Sequence, residues 1–259
     1  MNGILTEPAH YAVIMLPASY FFFRRKKYLR LAIVVFTVML SKSSIGYIGL
    51  ILILILPLFK VKYFIKYSWL VIIVLGSSIY YISTQWNKSV DENDSNLLVR
   101  RLKETNESLN AINSGKFKEY TNLSSYAFIS NAFVAKEIIM KTPIGAGLGG
   151  YQYEYDKFYK KIKPPKYLVT LKLSKINRTD ANSLFLRLIG DFGILAVVFL
   201  LYFFYVSFSL FQKDKKIIRQ STFFYLIVKL IREGHYFPPE FYFFLLIFLK
   251  DFDEDITHS

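Results

Sequence analysis

Long apolar runs without a single charge constrain this chain more than any other feature. Residues 45–59 contain one hydroxyl, on Tyr47, and no charge, and residues 69–83 are also uncharged. A soluble helix keeps a polar stripe toward water, and these runs keep none, which marks helices solvated by lipid. With 53% hydrophobic and 18% aromatic residues, the chain also has too little polar surface to cover several such helices in water. The expected fold is all-α, a polytopic helical membrane protein of about six or seven spans.

Apolar spans fall at 9–23, 29–44, 45–59, 65–83, 184–211, 217–231 and, shorter, 240–250. Basic residues crowd alternate turns: Arg24 to Arg30, then Lys60, Lys62 and Lys66, then Lys213, Lys215, Lys216 and Arg219. If these turns are cytoplasmic, the Lys42 to Gly46 turn, the long segment 84–183 and the Glu233 to Glu240 turn all face outward, so one orientation satisfies every loop. The resulting organisation is transmembrane helices over 1–83, a large periplasmic loop over 84–183, further spans over 184–250 and a polar tail over 251–259. The loop mixes Asp91, Glu92, Asp94, Glu104 and Glu107 with Lys and Arg. We expect it to be mostly short helices lying on the membrane, not an independent domain. The chain opens on Asn2, Gly3 and Glu7 instead of a positively charged leader. Its first span starts on the outer side, so earlier spans and a C-terminal portion of a longer protein are expected.

The net charge of +14 fits basic loops facing anionic headgroups. Nucleic acid is not an expected partner, since neither a basic helix nor an aromatic RNA platform is present. Without cysteine there is no disulfide framework and no thiolate metal site, and neither a metal nor a cofactor is expected.

Charges at membrane depth are costly and usually have a reason, so candidate site residues are polar groups near the outer face. Glu7, Pro8 and His10 open the first span, where a proline can aim a carboxylate and an imidazole inward; an acidic first helical turn reads equally as an ordinary helix start. Ser41, Lys42, Ser43, Ser44 and Gly46 break two apolar helices. In Pro143 to Gly150, Gly145 and Gly147 let backbone N–H groups approach an anion such as a pyrophosphate, although no strand precedes and no Lys-Ser/Thr pair follows, as a nucleotide loop requires. Asp180 and Asn182 stand at the mouth of the next span. Arg232 and His235 can clamp a phosphate and exchange a proton, or anchor the chain at the interface.

The order of these pieces resembles the O-antigen polymerase and O-antigen ligase superfamily. NGILTEPAHYA is similar to its Glu-Pro segment, LSKSSIGYIGL to its Ser-rich turn, TPIGAGLGGYQ to its Pro-x-x-Gly-x-Gly turn in a long periplasmic loop, DANSLFLRLIGDFGIL to its Asn-x-x-Leu helix, and REGHYF to a late element of polymerase members. The resemblance implies a lipid-linked-donor glycosyltransferase of the GT-C-like class in the bacterial inner membrane. It would join undecaprenyl-pyrophosphate-linked oligosaccharide repeat units into O-antigen or capsular polysaccharide on the periplasmic face, with a chain-length regulator as a further partner.

That chemistry needs cations on the leaving pyrophosphate and a base on the accepting hydroxyl. Arg178, Arg232 and His235 are the best placed, with Asp180 or Glu7 as the base or as an orienter of an arginine. His10, Lys42, Gly145, Gly147 and Asn182 complete the set as substrate-binding residues. Ligase members carry a histidine beside the Asn where this chain reads Asp180, Ala181, Asn182, and the loop arginine before the glycine turn has no counterpart near Phe128. Both departures favour a polymerase over a ligase. The alternative is a membrane component without catalysis, either a truncated polymerase-like chain or part of a polytopic transporter.

Overall fold

The computed structural model describes residues 8–56, 110–212, 216–236 and 238–250. Among them all regular secondary structure is helical, with no strand beyond one isolated pairing of Lys116 with Lys163. The expected span at 65–83, Glu7 and the tail 251–259 lie outside the described residues. The apolar runs become α1 (Pro8–Arg24), α2 (Tyr28–Leu40), α3 (Ser44–Ile55), α9 (Ile217–Arg232) and α10 (Pro239–Leu249). The outer segment supplies α4 (Leu123–Lys141), α5 (Tyr151–Tyr159) and α6 (Lys166–Thr170).

The expected span 184–211 is two helices, α7 (Leu184–Phe192) and α8 (Ile194–Phe211), broken at Gly193. Gly193 has φ +55°, and a Cβ there would lie 2.0 Å from the Pro143 carbonyl oxygen. That carbonyl instead accepts from the Ile194 amide at 2.8 Å. The break therefore comes from a close backbone approach that only glycine permits. Of the described helices, α8 alone is long and apolar enough to cross a membrane. Its 18 residues reach about 27 Å at about 1.5 Å per residue, close to the hydrocarbon thickness. Residues 28–40, 45–55 and 240–249 are shorter apolar helices.

The chain divides into two compact units. The first comprises Met1–Lys62, Ser183–Phe185 and Val197–Ser259. In it α1 packs against α2, α3 and α9, and α9 also against α10 and α3. Small residues set the α1–α3 distance: a Cβ on Gly46 would come within 2.7 Å of Ala12 Cβ, and one on Gly49 within 2.2 Å of Leu16 Cδ1. Close backbone approach of this kind is how apolar helices gain contact without a hydrophobic drive between them. The turn before α3 is held by Lys42 at φ +50° and by Ser43, whose hydroxyl caps the helix by accepting from the Gly46 amide.

This unit buries several polar groups within an otherwise apolar core and leaves large apolar side chains exposed. Ser19, Ser207, Gln220, Ser221, Thr222 and Lys229 are buried, whereas Phe36, Leu201, Tyr205 and Leu246 are exposed, Tyr205 to 72%. The buried hydroxyls of Ser19, Ser207, Ser221 and Thr222 donate to carbonyls one helical turn back. Tyr20 Oη donates to Gln220 Oε1 at 2.8 Å, and Gln220 Nε2 donates to the Leu210 carbonyl at 3.0 Å.

The second unit comprises Tyr63–Asn182 and Leu186–Ala196 and has a hydrophobic core of its own. Tyr126, Phe133, Val134 and Ile138 of α4 meet Tyr151, Tyr155 and Phe158 of α5, with Leu168 and Leu186. This corrects the expectation of short surface helices without a domain: α4 runs for 19 residues, capped by Asn122, whose Oδ1 accepts from the Ser125 amide. The tyrosines are buried with their hydroxyls satisfied where geometry allows, Tyr126 Oη donating to the Ser174 carbonyl and Tyr151 Oη to Asn131 Oδ1 at 2.7 Å. Burial pushes the Tyr151 phenol well up, so it remains a donor at any ordinary pH.

Candidate functional site

The glycine turn that offers N–H groups to an anion already holds one, the carboxylate of Asp191. Asp191 is fully buried on α7. Its Oδ1 accepts from the Tyr151 amide at 2.8 Å and its Oδ2 from the Gly149 amide at 3.2 Å. Its main-chain carbonyl accepts from the Gly147 amide, the Gly190 carbonyl from Ala146, and the Thr142 carbonyl from Gly145. Tyr151 is the first residue of α5, so the carboxylate also sits at that helix's N-terminus, where backbone dipoles favour negative charge. Arg187 Nε, one helical turn away, lies 3.7 Å from Oδ2. The amides of Gly145 and Gly147, expected to face substrate, are bonded within the protein. Positive φ at Gly145, Gly147 and Gly149 is the conformational requirement of this wrap around Asp191.

Asp180 is likewise engaged locally. Its Oδ1 accepts from Asn177 Nδ2 at 3.0 Å and from the Asn182 amide at 3.2 Å, closing a turn in which Asn177, Ala181 and Asn182 all have positive φ. Asn182 is buried. Arg178 is exposed and pairs with Asp156, which also takes Lys175 at 3.1 Å. The charge of Arg178 is thus neutralised within its own unit.

In the first unit, one stripe of α9 carries Tyr225, Lys229 and Glu233 at successive turns, since residues four apart share a helix face. Lys229 is fully buried and its ammonium donates to Glu233 Oε2. The other carboxylate oxygen, Oε1, lies 3.5 Å from His10 Nε2 on α1. The side chains of His10 and Glu233 are 29% and 15% exposed. A buried cation, a carboxylate it holds, and a partly accessible imidazole therefore follow one another from the packed interior to the surface. Glu233 ends α9, its amide donating to the Lys229 carbonyl, which fixes the carboxylate in relation to the lysine.

The candidates read from the sequence divide between the units. His10, Lys42, Arg232 and His235 belong to the first, and Gly145, Gly147, Arg178, Asp180 and Asn182 to the second; Glu7 lies outside the described residues. Lys42, Arg232 and His235 are exposed. Of the first group, His10 is the one in contact with a further charged group in the interior-to-surface series. Lys229 was missed because it sits inside a run that averages as apolar. Its signal was present all the same: a lone lysine in a span with a glutamate four residues on, the spacing of a helical ion pair.

No protein-family model matches the chain, and neither a curated protein nor a solved structure matches it.

Proposed function

We propose that the chain is a multi-pass membrane protein that polymerises undecaprenyl-pyrophosphate-linked oligosaccharide repeat units on the periplasmic face of the bacterial inner membrane. The membrane part of this reading is supported by the first unit, where hydroxyls, an amide and a lysine are packed inside while Phe36, Leu201, Tyr205 and Leu246 point out. Large apolar side chains left exposed around a core that itself holds Leu16, Phe223 and Phe224 suit lipid as solvent. The glycosyl-transfer part is supported by the ordered sequence elements from Glu-Pro to Arg-x-Gly-His. It is also supported by the observation that carries most weight, a partly accessible carboxylate and imidazole in contact at the end of α9 next to Arg232. A base beside a cation is what transfer from a pyrophosphate leaving group requires. Since cations neutralise the leaving group, the reading needs no metal.

The test is restoration of long-chain surface polysaccharide in cells deleted for their own polymerase. Restoration by this chain, and its loss in an Arg232→Ala and His235→Ala pair of variants, is the expected result. Absence of restoration despite stable insertion would point to a non-catalytic membrane protein.

A further inference from the structure

Glu233 has both carboxylate oxygens engaged, and by unlike partners. Oε2 accepts from the ammonium of Lys229, which is fully buried and so is offset by this one carboxylate four residues away. An unpaired buried ammonium would be strongly disfavoured, so the pair holds Glu233 in place. Oε1 faces His10 Nε2 at 3.5 Å. A neutral imidazole that keeps its hydrogen on the nitrogen facing a carboxylate leaves the lone pair on the other nitrogen. In that tautomer His10 Nδ1 can take a proton, on a side chain 29% exposed. α1 and α9 pack along their length, so the two residues are held by rigid elements instead of loops.

Resting on the polymerase reading above, we propose that His10 is the catalytic base for the accepting hydroxyl and that Glu233, fixed by Lys229, is its positioning residue. In the transfer step the hydroxyl proton passes to His10 Nδ1. The hydroxyl oxygen forms the new bond to the anomeric carbon, and the anomeric carbon–oxygen bond to pyrophosphate breaks, its electron pair leaving with the pyrophosphate. Glu233 stabilises the imidazolium that forms and Lys229 keeps Glu233 from collapsing onto another donor. This moves the base from Asp180, whose Oδ1 is held by Asn177 and Asn182, to a residue whose side chain is partly exposed.

The experiment uses membrane vesicles from cells deleted for their polymerase, which carry their own lipid-linked repeat units, with the full chain or a variant inserted and its level measured. The native chain should lengthen the repeats. His10→Gly should slow lengthening by about a hundredfold or more, the usual worth of a positioned base, and added imidazole should restore part of the rate. Glu233→Gln should lower kcat with little change in KM for the lipid-linked donor. His10→Gly lengthening at the native rate, or failing to respond to imidazole at equal membrane level, would overturn the assignment while leaving the polymerase reading standing. No lengthening by the native chain would overturn both.

Discussion

Removing the carboxylate of Asp191 should open the glycine turn. Asp191→Ala deletes the acceptor for the Gly149 and Tyr151 amides. Hydrogen bonds to a charged group contribute about 1.5–3 kcal/mol each, so the two together represent about 3–6 kcal/mol. Breaking a buried ion pair by removing one partner costs about 3–5 kcal/mol, a second route to the same range. Arg187 trims the upper end, because its side chain is 16% exposed and its guanidinium can turn toward water. The expected loss is about 4 kcal/mol, and since about 1.4 kcal/mol is a factor of ten, the amides of Gly149 and Tyr151 should exchange with solvent about a thousandfold faster. Asp191→Asn keeps one acceptor oxygen but points a donor at the second amide, so it should fall between alanine and the native residue. Hydrogen exchange read by mass spectrometry on the detergent-solubilised or nanodisc-embedded chain resolves the peptides covering residues 143–151. Unchanged exchange there in Asp191→Ala would refute the reasoning, because the turn would then be held by its glycine conformations and carbonyl contacts without the carboxylate.

Two glycines in this region should respond differently. Gly193→Ala drives a Cβ to 2.0 Å from the Pro143 carbonyl oxygen at φ +55°, whereas Gly147→Ala, at φ +84°, meets nothing within 4 Å; the latter should cost about 1–2 kcal/mol of backbone strain and the former clearly more, read as the difference in thermal melting. Tyr225 Oη is buried with no hydrogen-bond partner among the described residues. Tyr225→Phe should therefore leave the melting temperature unchanged or raise it, since removing an unsatisfied buried hydroxyl is neutral or stabilising, and a fall would mean that the hydroxyl is bonded. Because the chain has no cysteine, Lys26→Cys and Lys42→Cys each introduce a unique thiol. On intact cells an impermeant maleimide should label the second and not the first, and labelling of both from one side would contradict the orientation.

The helices at 8–24, 28–40, 44–55, 217–232 and 239–249 were legible because predominantly apolar runs end at basic or polar turns. The break at Gly193 was not legible. GDFGIL reads as part of one span although it holds Gly190, Asp191 and Gly193, because glycines and a lone charge do not by themselves say that a helix breaks; the cause is a carbonyl fifty residues earlier in sequence, at Pro143. The core of the second unit was half visible. Tyr151 and Tyr155, four apart, mark a buried helix face, but their partners Tyr126, Phe133 and Ile138 lie on α4, and pairing of one stripe with another is a tertiary fact. At the glycine turn the sequence offered amides to an anion from outside, whereas the Gly145 and Gly147 amides bond main-chain carbonyls and the Asp191 carboxylate from α7 takes the amides of Gly149 and Tyr151.

Two carboxylates in this chain show how burial decides what an acid can do. Asp191 is enclosed, with amides on both oxygens and Arg187 alongside; any ligand exchange there would first require unmaking the turn at the N-terminus of α5. Glu233 is bound from one side by a lysine that cannot leave, and on the other side meets an imidazole that is itself partly accessible. Reorganising that second contact disturbs only a side-chain approach of 3.5 Å, with no backbone hydrogen bond at stake. A group that must take part in chemistry needs one fixed partner and one exchangeable one. Among the described carboxylates with resolved partners in their own units, Glu233 meets that requirement, whereas Asp191 and Asp180 hold backbone in place. Substitutions at Asp191 should act on stability before activity, whereas at Glu233 loss of the carboxylate leaves the buried Lys229 ammonium unpaired and should cost stability as well, so its effect on activity is read at matched membrane level.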